Sequence, residues 1–215
     1  MPQRSYGGRS VAERQAERFD RFMAAALDVF GTQGYAQGTV SAVCSAAGLS
    51  RRQFYELFES REDLLIAAYD MIHAEARDAV IAAFGSVDDS VADVSARVRP
   101  GIAAFFDSVA ADPRRMRIAF IEVAGVSPRV EAHRLGARAE WTTFFSAMAD
   151  TIAPELSESE FGWSYEAAAF VGALTEAGHL WTDATPRPDR DVVVDMLMGI
   201  IMSFVRDRMT RDIGA

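Results

Sequence analysis

The segment TVSAVCSAAGLSRRQFYELF, residues 39–58, leaves few folding options open. Thr39 is placed to cap a helix, its hydroxyl accepting from a backbone N–H one turn in. Val40, Val43 and Ala47 follow at three- and four-residue spacing and form one apolar stripe. Gly48 ends that helix, because glycine enters the left-handed region without steric cost. Ser50 opens a second helix, and Ser50-Arg51-Arg52-Gln53 has the spacing of a capping box. Phe54, Leu57 and Phe58 share one face of it, whereas Arg51, Arg52 and Tyr55 lie on another. A short helix held by its apolar side and showing two arginines and a tyrosine suits the major groove of DNA.

Charge is distributed unevenly around this segment. The net charge is −9, and all 22 basic residues are arginine. Residues 1–62 hold eight arginines against seven acids, and residues 63–215 hold fourteen against twenty-four. An acidic rear half repels DNA, so contact with DNA is expected only at the front. The 215 residues suffice for one large or two small domains. Cys44 is the single cysteine, which excludes an internal disulfide and fits a reducing cytosol. No stretch reaches the roughly 20 apolar residues of a membrane span, so a cytoplasmic protein without a membrane partner is expected.

Along the chain, residues 1–9 read as a disordered polar arm. A first helix runs from Ser10 to about Gln33, ends at Gly34, and packs behind the helix pair to make a three-helix unit. Ser60 caps a long helix running to about Phe84, with Glu62 and Asp63 in its first turn, where negative charge suits the dipole. A helix from about Ser90 to Ala111 contains Pro100, so a kink or break is expected near Arg99. Asp112-Pro113 and Ser127-Pro128 are both start signals; the first opens a short helix ending at Gly125, the second a helix reaching about Ala153. Pro154 to Trp163 reads as an acidic connection. Two helices, about 164–182 and 189–212, finish an all-α chain of about nine helices.

The front half resembles the DNA-binding domain of the tetracycline-repressor (TetR) family of bacterial regulators. The resemblance covers residues 19–69 and rests on Ala25-Ala26-Leu27, Phe30, Gly34-Tyr35, Thr39-Val40, Ala46-Ala47-Gly48-Leu49-Ser50, Phe54-Tyr55, Phe58, Ser60-Arg61-Glu62 and Leu64-Leu65. It implies a homodimer that binds a near-palindromic double-stranded DNA operator and is released by a small ligand of unknown identity. It divides the chain into a helix-turn-helix domain at 10–60 and a ligand-binding and dimerisation domain at 61–215. Carried over by position, Thr39 and Tyr55 touch phosphates, Arg51, Arg52 and Gln53 face bases or backbone, and Arg61 stands where the family has a phosphate-gripping lysine. Ser50 belongs to the same surface. The chain departs from the family at Arg52, commonly a small residue, and at Leu57, commonly a histidine or aromatic, so no phosphate role is carried to Leu57.

Several residues admit two readings. Gln53 either reads adenine or completes the cap with Ser50. Cys44 reads better as a small core residue than as an oxidation sensor. Phe105, Phe106, Phe120, Trp141, Phe144, Phe145, Phe170 and Trp181 exceed what a small bundle needs; most read as core and some as the lining of an apolar cavity. Glu122, His133, Thr175 and His179 are its candidate polar partners. The small residues Gly172 and Gly178, with Thr175, and the apolar arc Met196, Leu197, Ile200, Ile201 and Phe204 point to a dimer built from two helices of each subunit. The three histidines lie too far apart to suggest a metal site, and no cofactor motif or catalytic pattern appears. The rival readings are a helical small-molecule-binding protein or enzyme whose front no longer binds DNA, and an adaptor using its last two helices.

Overall fold

The computed structural model describes residues 10–87, 93–154 and 162–212. Among them the chain forms α-helices and no strand. The elements are α1 (Val11–Gln33), α2 (Val40–Ala47), α3 (Arg51–Tyr55), α4 (Arg61–Gly85), α5 (Val94–Ala110), α6 (Pro113–Arg117), α7 (Pro128–Ile152), α8 (Ser164–Asp183) and α9 (Arg190–Asp212). A π-helical turn, Ile118–Glu122, continues α6. The arm at 1–9, the start near Ser90 and most of the 154–163 connection lie outside the described residues. None of the described helices is long and apolar enough to cross a membrane.

Helix starts follow local chemistry. Ser10, Ser50 and Ser60 each form a full capping box, with Glu13, Gln53 and Asp63 respectively. Thr39, Asp93, Asp112 and Ser127 each accept from a first-turn amide. The helix after Asp112 is shorter than its apolar spacing predicts, because regular α-helix stops at Arg117 and a π turn carries the chain to Glu122. The expected break near Arg99 does not occur: α5 runs through Pro100. One lost backbone bond is outweighed there by a buried face of Val98, Ile102, Phe105, Phe106 and Val109.

Helices α1–α3 form a head and α4–α9 a body, with α4 common to both. One continuous hydrophobic core runs through the two parts. In the head, Phe22 meets Phe54 and Phe58 edge-on at 5.5 and 5.9 Å between ring centroids. These rings clamp α3 onto α1, since a five-residue helix does not persist alone in water. In the body, α4 packs chiefly on α5, where Gly101 admits the Phe84 ring: a Cβ there would come within 2.5 Å of it.

Candidate nucleic-acid interface and ligand cavity

The helix pair is fixed from both ends. Gly48 adopts φ 61° and ends α2, and the Leu49 N–H donates to the Cys44 carbonyl at 3.0 Å. Arg21 of α1 donates to the Ala47 carbonyl at 3.0 and 2.6 Å and to the Gly48 carbonyl at 3.1 Å. A cation thus sits at the negative end of α2. Sequence reasoning missed Arg21, whose only signal was an arginine midway along α1. Glu56 accepts from Arg18 at 2.8 Å and from Arg52 at 3.3 Å, tying the end of α3 to α1.

Phe54 is fully buried, while Arg51, Arg52 and Tyr55 are exposed on the outer side of α3. Thr39 is exposed too, its oxygen accepting from the Ala42 N–H at 3.1 Å. The Arg52 side chain is 89% exposed and, among the described residues, its only ion pair is with Glu56. Arg51 makes no ion pair among the described residues. Gln53 is committed to the cap, its Oε1 accepting from the Ser50 N–H and hydroxyl, each at 2.9 Å. Cys44 is buried, and burial pushes its thiol pKa up against a smaller opposing effect of Arg51. That disfavours the reactive thiolate.

Arg61 does not project freely from α4. Its guanidinium lies over the Tyr35 ring, 4.3 Å from the centroid, and donates to the Tyr35 and Gly38 carbonyls at 3.2 Å. The other side of Tyr35 reaches into the body: its N–H donates to Glu122 Oε2 at 2.6 Å. Glu122 also accepts from Arg117 at 2.7 Å, and Arg117 donates to the Thr32 carbonyl at 3.0 Å. Gly31 lets α1 approach α6 so closely that a Cβ would lie 2.5 Å from that of Arg114. Further ion pairs cross the seam, Asp28 with Arg114 and Asp63 with Arg129. Asp63 is partly desolvated, which raises its pKa, but Arg129 and the Ser60 cap outweigh that and hold it low.

Among the described residues, the body encloses a larger and a smaller cavity. The larger, about 90 Å³, is almost wholly apolar and runs between α5, α7, α8 and α9, with Phe145, Phe170, Trp163, Ile201 and Phe204 in its wall. The smaller, about 40 Å³, lies beside α4 and the π turn and is lined by Phe105, Phe120, Trp141 and Thr175, with Tyr69 and His73. Phe145 lines both. Four of the expected lining residues fall elsewhere. Phe106 is core, edge-on to Trp181. Phe144 packs on Trp141 and Phe145 outside either wall. Glu122 is engaged in the seam, where its carboxylate finds an amide and a guanidinium. His179 faces the Phe120 carbonyl at 3.3 Å and Asp183 at 3.8 Å. His133, the remaining polar candidate, contacts Asp70 at 2.6 Å. His73 went unassigned in the sequence, which shows only a lone histidine on a helix.

Helices α8 and α9 pack side by side. Two residues expected at a subunit interface are instead turned inward: Leu197 is fully buried, and Gly178 lies where a Cβ would come within 2.5 Å of the Phe120 ring. Ile201 and Phe204 face the larger cavity, and Thr175 faces the smaller. Gly172 and Ile200 are half-buried. The outward apolar surface consists of Val192, Met196 and Met209 on α9, and Tyr165 and Leu180 on α8.

Residues 22–68 match the family model of bacterial regulatory proteins, tetR family. The HTH-type transcriptional regulator EthR of Mycolicibacterium smegmatis is 28% identical over 142 residues, which span 66% of this chain and 64% of EthR, under two thirds of that relative. Among solved structures, a TetR-family regulator from Syntrophomonas wolfei superposes with a TM-score of 0.74 at 14% identity, over 88% of this chain and 95% of that one. FadR of Bacillus subtilis, solved in complex with stearoyl-CoA, gives 0.73 at 14% identity over 85% and 96%. These two show a shared fold. The matched segment contains the capped helix pair and the exposed α3 arginines, so the front of this chain is similar to the tetR family of bacterial regulatory proteins.

Proposed function

We propose that this protein is a DNA-binding transcriptional regulator, a repressor released from a near-palindromic operator by a small ligand in the body. The observation that carries the reading is the outer side of α3, where Arg51, Arg52 and Tyr55 are exposed while Phe54 anchors the helix beneath them. In this reading residues 10–60 bind DNA and residues 61–215 bind ligand and dimerise. Two copies associate through α8 and α9, using the exposed Val192 and Met196 and the half-buried Gly172 and Ile200. The dimer sets two α3 helices ~34–36 Å apart, one DNA turn.

Arg51 and Arg52 read base edges, with guanine the favoured partner of arginine. Thr39 and Tyr55 hold phosphate. Arg61 acts mainly by holding Tyr35 in place, with part of its guanidinium left to face the backbone of DNA. The ligand shifts the segment 113–124, whose Ala119, Phe120 and Ala124 line the smaller cavity. That shift tilts α4 and changes the half-site separation. It requires only that the ligand prefer the released state.

The test is selection of bound duplexes from a random pool, followed by binding of the selected site to Arg51→Ala with Tyr55→Phe. A palindrome is expected, with affinity lowered by about 1–3 kcal/mol for the arginine and a shallower salt dependence. Unchanged affinity and salt slope would overturn the contact assignment. A chain that selects no DNA but binds small molecules would favour the rival binding-protein reading.

A further inference from the structure

His73 lies on α4 with its Nδ1 accepting from the Trp141 indole N–H at 2.9 Å. Its pKa is pushed down to about 4, by burial first and then by Arg77 and His133. The ring is therefore neutral near pH 7, and with Nδ1 accepting, its proton is on Nε2. That Nε2 is buried and has no hydrogen-bond partner among the described residues. A buried donor without an acceptor is uncommon and calls for an explanation. The cavity that His73 lines supplies one.

The same cavity is lined by Arg138, which forms no ion pair among the described residues, and by Arg134, which pairs with Glu131 at 2.6 Å. Two guanidinium groups and one carboxylate leave a surplus positive charge beside an unfilled donor. Asp70, the other nearby acid, is engaged by His133. The hydroxyl of Thr175 donates to the Val171 carbonyl at 2.7 Å and keeps a lone pair for a further donor. Across Phe145 the other cavity is walled by apolar side chains apart from the Trp163 indole and Glu166, whose carboxylate is held by Arg208 at 2.7 Å.

We propose that the two cavities form one site for a small amphiphile with a single carboxylate head. The head accepts from His73 Nε2 and Arg138, and the tail passes Phe145 into the apolar cavity. The proposal rests on reading the body as the ligand domain, and names the chemistry of that ligand. The volumes set its size. A void of about 150 Å³ accommodates one benzene, so voids of about 90 and 40 Å³ suit a short aliphatic chain rather than a long one. An alcohol of equal length lacks the charge that Arg138 answers. An ester lacks it as well and also adds bulk at the head.

The experiment is calorimetric titration of the full chain, without DNA, with hexanoate, octanoate, dodecanoate, 1-octanol and methyl octanoate. Octanoate is expected to bind about tenfold or more tightly than the alcohol and the ester, and dodecanoate no more tightly than octanoate. Arg138→Gln is expected to remove that preference, because the carboxylate loses its charge partner whereas the alcohol loses at most one neutral acceptor contact. His73→Asn, whose amide oxygen still accepts from the Trp141 indole, weakens octanoate in the same way. Ala149→Phe fills the tail cavity and moves the preference from octanoate to hexanoate. Thermal melts establish that each variant folds, and an unfolded variant leaves the wild-type ligand series as the deciding measurement. Equal binding of octanoate and 1-octanol, or no binding of either, overturns the proposal. Because DNA is absent, that failure is separate from failure of the regulator reading, which the duplex selection decides on its own.

Discussion

Phe22, Phe54 and Phe58 fill the head ring against ring, and its three helices are capped by side chains a few residues away in sequence. The body is also built of helices, but both cavities lie in it, and it buries a histidine with a donor unanswered among the described residues. A reading surface has to hold its geometry, and dense packing does that. A responsive domain needs room for a guest and a cost that the guest can relieve. The largest test of this contrast is Phe54→Ala. Its side chain is fully enclosed, so removal is expected to cost about 3–5 kcal/mol, read as a lowered denaturation midpoint. Phe145→Leu, at the wall between two existing voids, is expected to cost clearly less.

The second test uses pH. An unfolded histidine titrates near about 6.5, whereas His73 is held near about 4. Between those values the unfolded chain binds a proton that the folded chain does not, so stability rises with pH across the window and is lost as pH falls from about 6.5 towards 4. The loss is of the order of 3 kcal/mol. His73→Asn is expected to flatten that part of the stability curve in chemical denaturation. The depressed carboxylates Asp63 and Asp112 act in a different window. Their contribution is present above the ordinary carboxylate range and is lost only as pH falls through their lowered values.

How far each region was legible in the sequence follows from the range of its interactions. Thr39, Gly48, Ser50 and Ser60 act on atoms within a few residues, so the head and its caps could be read directly. In the body, face assignment failed where an element is apolar over a wide arc. Nothing local tells which side of α9 meets its own core, so Leu197 was placed outward although it is fully buried. Gly178 looked like a surface for close approach between subunits, but the partner it admits is Phe120 of the same chain. Glu122 looked like a pocket residue because it stands among apolar ones. Its partners Tyr35 and Arg117 are set by how α1 meets the π turn, a contact spanning 87 residues in the first case.

The seam between the regions carries the third test. Glu122→Ala leaves the half-buried Tyr35 N–H without an acceptor, at an expected cost of about 1–3 kcal/mol in denaturation. Glu122→Gln keeps an acceptor for that amide and gives up the ion pair with Arg117, so the loss is expected to be smaller. If the seam transmits ligand binding, both variants also lessen the effect of ligand on operator affinity. Loss of stability without loss of coupling would make the seam a structural joint alone.

The smallest expected effect separates the two roles assigned to Thr39. Its oxygen caps α2 by accepting from the Ala42 N–H, while its hydroxyl proton remains available to a phosphate. Thr39→Ala removes both, and the lost cap is expected to cost about 1 kcal/mol of stability. Thr39→Asp keeps an acceptor at the cap and places negative charge at the positive end of α2, which holds stability level or raises it. The same charge repels phosphate and cannot donate to it. DNA affinity is therefore expected to fall in both variants, and stability only in the alanine. If the aspartate variant binds the selected operator as well as the parent, Thr39 is a cap and nothing more, and the phosphate grip at this edge of the head must come from Tyr55 and the arginines of α3.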